Sequence, residues 1–217
     1  MAPAAPPTAA ADAPLAINQE AAGFCDARPE SGTWLEGADF CDDFSDGVAA
    51  NWESQGAIWQ VIDNEYVGTG TAEACGTGFA SNETFVRDLV AADVEVRFDM
   101  RSLERVDKAI VLRSTGPGDQ IELNFRADPF NDVVVQELGA CQFLFLQSFP
   151  APHPMGQTVE AHVKLVGNRV VVWLDGELIL DRSFPFRAKS GSVGLGVIEG
   201  GVTAFDNVQV LKNATCS

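Results

Sequence analysis

The chain has 217 residues, 46% of them hydrophobic, and carries 31 Asp and Glu against 14 Lys and Arg, a formal net charge of -17. That length suits one large all-β domain or two small ones, and the apolar fraction supplies a real core. The charge argues against nucleic acid or an anionic membrane bound through a basic patch; the scattered acids read first as a solvated surface, and second as groups gathered around cations such as extracellular calcium.

The first 37 residues open with "MAPAAPPTAAADAPLA", an Ala/Pro-rich run expected to form a linker or an unstructured arm, or an arm that orders against a partner chain. No stretch has the length of a membrane-spanning helix, and no apolar secretory region opens the chain. Residues 38–217 then read as one all-β domain. "ADFCDDF" is a first strand. "AIWQVIDNEYVGTG" holds two runs around Asp63-Asn64, a hairpin signal. "ADVEVRFDM" alternates, with Val94, Val96, Phe98 and Met100 on one side and Glu95, Arg97 and Asp99 on the other. "KAIVLRS" and "DQIELNFRA" flank the turn "TGPG"; "DVVVQEL" and "QFLFLQSF" flank "GAC". "TVEAHVKLV" turns at Gly167-Asn168 into "RVVVWLD", which turns at Asp175-Gly176 into "ELILDRSF". "GSVGLGVIE" leads to the last strand, "VTAFDNVQV". Many short strands with regular turns and no long helix predict a two-sheet antiparallel sandwich.

The last strand poses a problem. Strict alternation would put Asp206 in a row with Val202, Ala204, Val208 and Val210. One extra residue at Asp206-Asn207, a β-bulge, shifts the phase so that Phe205, Val208 and Val210 share the core face.

The stretches "RVVVWLDGELILD" and "SGSVGLGVIEGGVTAFDNVQV", with "DDFSDGVAANW", "WQVIDNEYVG" and "IVLRS" before them, resemble concanavalin A-like (laminin-G-like) jelly rolls over about residues 38–212. The subgroup includes bacterial carbohydrate-binding modules and 3-keto-disaccharide hydrolase-type domains. The resemblance implies that the first and last strands pair, so that Asp42, Asp43 and Asp206 lie near one another. Calcium held by these carboxylates is the expectation; an Asp206 that only accepts hydrogen bonds and shapes the bulge is the alternative.

No catalytic constellation emerges. A glucanase on this fold needs an E-x-D-x-x-E run, but "VEVRFDMRSLE" places Arg97 between Glu95 and Asp99, which reads as a salt-bridged sheet face. His153 lies in a Pro-rich loop and His162 on an outward strand face. Glycan binding needs aromatic faces and polar groups. Trp52, Trp59, Tyr66 and Trp173 are the aromatic candidates, with Trp59 and Trp173, on strands, better suited to the core. Arg113, Glu122, Arg126 and Gln136 are the polar ones, placed on one sheet face by the resemblance. Of five cysteines, Cys25–Cys41 and Cys75–Cys141 are the expected disulfides, leaving Cys216 over.

These features predict a secreted or cell-surface carbohydrate-binding module whose partner is a glycan or polysaccharide, without nucleic acid or membrane insertion. The alternatives are a structural or adhesive subunit of an extracellular fibre, sheath or virion that self-assembles through the N-terminal arm, and a glycan-active hydrolase of the 3-keto-disaccharide type. The missing carboxylate motif leans away from an enzyme.

Overall fold

A computed structural model describes residues 35–71, 82–105, 107–198 and 200–215. Among them the regular elements are strands: β1 (Phe40–Asp42), β2 (Trp52–Gln55), β3 (Ile58–Ile62), β4 (Glu65–Thr69), β5 (Asn82–Ala91), β6 (Val94–Glu104), β7 (Asp107–Gly116), β8 (Asp119–Arg126), β9 (Asp132–Gly139), β10 (Gln142–Pro150), β11 (Val159–Val166), β12 (Arg169–Leu174), β13 (Glu177–Ser183), β14 (Gly191–Val197) and β15 (Val202–Lys212). One sheet runs β13-β12-β11-β6-β15-β4-β3, with β1 also paired to β15; the other runs β10-β9-β8-β7-β14-β5-β2. All pairings are antiparallel, and the expected first-to-last pairing is present with Asp42 opposite Val208. No helix among the described residues is long and apolar enough to cross a membrane.

The period-two pattern decides which side chains the sheets bury between them. On β6, Val94, Val96, Phe98 and Met100 enter the core while Glu95, Arg97, Asp99 and Arg101 face outward. On β8, Ile121, Leu123 and Phe125 are inside. Phe98, Phe125 and Phe205 meet at the centre with ring centroids 6.0–6.2 Å apart; each buried ring contributes about 2–3 kcal/mol. Two-residue hairpins form where the turn residues allow a left-handed backbone, at Asp63-Asn64 (φ 52° and 63°) and Asp175-Gly176 (φ 49° and 80°).

The bulge in β15 is present. Asp206 pairs with Asp99 but Gln209 pairs with Arg97, so three steps on β15 answer two on β6. Asn207 takes up the extra residue at φ 54°. Phe205, Val208 and Val210 accordingly all reach the core.

Two strands went unread in the sequence. β2 is a four-residue edge strand. β5 buries polar Asn82, Glu83 and Thr84 and breaks phase at Asp88 (φ 57°), so no single alternation runs through it. Its Asn82 begins a glycosylation triplet, yet the side chain is fully buried and accepts from the Thr71 N–H at 3.2 Å.

Candidate functional site

The seven-stranded sheet carries polar side chains on the face turned away from the core. Between its core residues β8 presents Gln120, Glu122, Asn124 and Arg126, and the neighbouring β9 presents Gln136. Glu122 and Gln136 are direct cross-strand partners, and Gln136 Nε2 donates to Glu122 Oε2 at 3.0 Å. Gln120 Nε2 donates to Glu83 Oε1 of β5. Between β8 and β5, β7 and β14 present Ala109, Val111, Gly194 and Gly196 at the middle of this face, with Asp107, which accepts from Asn124 Nδ2 at 2.9 Å, at one end and Ser192 at the other. Small side chains there leave the two polar walls free to approach over a low floor.

These polar groups are covered. Glu83, Gln120, Glu122 and Gln136 are 1%, 0%, 6% and 6% exposed. Burial raises the Glu122 carboxyl above its usual range, and the amide donors of Gln136 and Gln120 only partly oppose this. Gln120 Oε1 and Asn124 Oδ1 are buried with no hydrogen-bond partner. Each such acceptor costs about 1–3 kcal/mol relative to a satisfied one.

At the end of the face near the β7–β8 turn lies a cavity of 470 Å³. Phe85 and Val90 of β5 form its apolar side, and Ser114, Thr115, Ser190 and Ser192 bring hydroxyls. Phe85 stands in register with Gly194, which pairs with Val111, which pairs with Glu122, so the cavity and the polar row share one line across the sheet.

The predicted ligand contacts separate, and Trp52 is a core residue, 5.3 Å from the Tyr66 ring. Glu122 and Gln136 lie together as described. Arg126 shares their face but is already engaged: Nε and Nη2 donate to Asp132 at 2.7 and 2.5 Å, and its guanidinium sits 4.6 Å from the Phe130 ring centre. Arg113 does not face the row. A kink at φ 51° turns it to the loops, where it donates to the carbonyls of Ala92 (2.7 Å), Ala188 (2.9 Å) and Gly167 (2.6 Å). Trp59 and Tyr66 pack inside with centroids 5.0 Å apart, and the Tyr66 hydroxyl bonds Thr84 Oγ1 at 3.0 Å. Trp173 lies on the outer face of the other sheet, stacked on His162 at 4.7 Å. Glu95 there meets His162 (2.6 Å) and Lys164 (3.0 Å), which makes that face the expected salt-bridged one.

The three acids proposed for calcium have other partners. Asp42 accepts from Phe44 N–H (3.0 Å) and Trp52 Nε1 (2.9 Å), and Asp43 from Ser45 N–H (3.1 Å). Asp206 accepts from the backbone and side-chain nitrogens of Asn207 at 2.7 and 3.0 Å. No cluster of three acidic, His or Cys side chains placed to hold a metal ion occurs among the described residues. Cys41 and Cys141 are each disulfide-bonded; Cys25, Cys75 and Cys216 lie outside the described residues.

His153 is buried, which its Pro-rich surroundings did not suggest. Its Nδ1 faces the Ala151 carbonyl at 2.8 Å and so carries the proton. Its Nε2 then accepts from Lys108 Nζ at 2.9 Å, and the same amine donates to Ser102 Oγ at 2.9 Å. Lys108 takes a core position of β7, 1% exposed. Burial lowers its pKa to about 7.

No protein-family model matches the sequence, and no curated protein matches it. Solved structures do. The carbohydrate-binding module CBM66 from Bacillus subtilis superimposes with a TM-score of 0.63 at 15% identity, covering 74% of this chain and 94% of that one. The chain has the concanavalin A-like jelly-roll fold. A Bacillus subtilis protein with a galectin-like fold gives a TM-score of 0.60 at 11% identity over 81% of this chain and 96% of that one. Crh5 transglycosylase in complex with NAG gives 0.62 at 12% identity over 83% and 86%. Identities this low establish the jelly roll and no activity.

Proposed function

We propose that this chain is a secreted carbohydrate-binding module that holds a glycan against the outer face of its seven-stranded sheet. The observation that carries the reading is the buried polar row of Glu83, Gln120, Glu122 and Gln136 on a face that has no core to fill. Sugar hydroxyls both donate and accept. They complement the carboxylate and carboxamide groups that this row carries. Jelly-roll neighbours that bind carbohydrate support the same chemistry. Disulfide-bonded Cys41 and Cys141 suit an oxidising compartment, with Cys25 and Cys75 their proposed partners.

A glycan array tests the reading. Retention of at least one glycan class, lost in Gln136→Ala, supports it. Failure to retain any, with polymers of the native material under negative stain, would favour the fibre or sheath subunit. Because a transglycosylase shares the fold, product formation is assayed too. Reducing sugar released steadily by the wild type but not by Glu122→Gln would make the protein an enzyme.

A further inference from the structure

The cavity beside the β7–β8 turn differs from the polar row in one respect. The row holds two carboxylates, whereas none of the described residues lining the cavity is charged. Its wall combines hydroxyls from Ser114, Thr115, Ser190 and Ser192 with the apolar surface of Phe85 and Val90. Its 470 Å³ lies within the range of small-molecule sites, about 300–1,000 Å³.

Two cations adjoin lining residues in the chain, and both are engaged by carbonyls; a third, Arg87, is exposed between Phe85 and Val90 on β5 beside exposed Asp88 and is not a lining residue. Arg113, next to Ser114, spends its guanidinium on the Ala92, Ala188 and Gly167 carbonyls. Lys189, next to Ser190, donates to the Phe186 carbonyl at 3.3 Å. The nearby carboxylate of Asp119 accepts from the Ala140 N–H at 2.9 Å. The whole chain, at -17, repels anions at longer range. The Phe85 wall is also fixed in place: a Cβ on Gly194 would come within 2.7 Å of the Phe85 ring, so the ring rests on bare backbone.

We infer that this cavity is a subsite for a neutral sugar residue, held by hydroxyl hydrogen bonds and an apolar wall, and that it rejects carboxylated or sulfated sugars for lack of a counter-charge. The inference rests on the proposed glycan-binding function and names the substrate class. A neutral residue loses only hydroxyl hydration on entry, and the wall replaces it. A uronate would leave its carboxylate without a cation, at a cost of several kcal/mol if fully desolvated.

Calorimetric titration of the whole chain tests this, with neutral gluco-, manno-, galacto-, xylo- and fructo-oligosaccharides set against oligogalacturonate. The expected result is binding of a neutral oligosaccharide, with oligogalacturonate at least about tenfold weaker. Ser190 is exposed, so Ser190→Trp fills the cavity without touching the core; it should weaken the neutral ligand by at least about tenfold while the melting temperature holds. Thr115→Lys should narrow the gap between the two ligand classes. Tighter binding of oligogalacturonate, or undiminished binding by Ser190→Trp, overturns the subsite and leaves glycan binding standing. Failure of every oligosaccharide to bind overturns both.

Discussion

At the scale of single residues, side chains of one chemical kind serve unlike ends. Arg113 and Arg126 leave β7 and β8, and both looked like ligand contacts. Arg113 ties three loop carbonyls together from a buried position, so Arg113→Ala should cost roughly 3 kcal/mol in urea denaturation, while Glu122→Gln should stay within about 1 kcal/mol. Equal costs would contradict the division between clamp and ligand face. Asp206 poses the same kind of question. With its oxygens on Asn207, and Asn207 Nδ2 also donating to Asp99 at 2.6 Å, the bulge is held by neutral donors between two acids. Thermal melts with millimolar calcium and with chelator should therefore coincide. A difference of several degrees that shrinks in Asp206→Asn would instead support a calcium ion held by Asp206.

At the scale of elements, legibility followed phase. β6 and β11 could be read directly because one face is core and the other wet, so apolar and polar residues alternate from Val94 to Arg101 and from Val159 to Leu165. The bulge in β15 could be read because a misplaced acid betrayed it. β5 could not, since its buried face-out residues Glu83 and Phe85 serve the candidate site rather than the core. Part of the site was nonetheless visible: Glu122 and Gln136 sat at outward positions of adjacent strands. Glu83 was hidden with its strand, and the cavity hydroxyls were hidden because turn residues look alike whether or not they line anything. Lys108 shows the limit most sharply. It takes a core position between Ser102 and His153, and nothing in "VDKAIVL" distinguishes it from a surface lysine. Its placement has a pH signature. The folded chain releases the Lys108 proton near pH 7 and the unfolded chain near 10.5. Between those values the unfolded state holds the extra proton, so stability rises with pH, by up to about 1.4 kcal/mol per unit. Below pH 7 both states are protonated and the burial penalty is complete. His153, also depressed by burial, adds a slope of the same sign below its usual 6.5. Urea midpoints at pH 6.5, 8 and 9.5 should climb in the wild type relative to Lys108→Met; parallel profiles would contradict a buried neutral amine.

At the scale of the molecule, the two outer faces divide the surface by chemistry. The eight-stranded sheet shows Glu95 paired with Lys164 and hydrogen-bonded to His162, and Arg97 facing Glu160 at 3.8 Å, with Arg101 Nε buried without a hydrogen bond. The seven-stranded sheet shows buried amides and carboxyls with acceptors left over, next to a cavity whose described lining residues are uncharged. A jelly roll needs only its interior to be stable, so polar burial on an outer face is a cost of order 1–3 kcal/mol per unsatisfied group that the fold itself does not require. The direct test compares one substitution on each face for affinity toward a glycan retained by the wild type. Gln136→Ala should weaken it by at least about tenfold, and Trp173→Ala, on the opposite face, by less than about twofold. The reverse order, with Trp173→Ala losing the glycan and Gln136→Ala keeping it, would place the site on the wrong sheet.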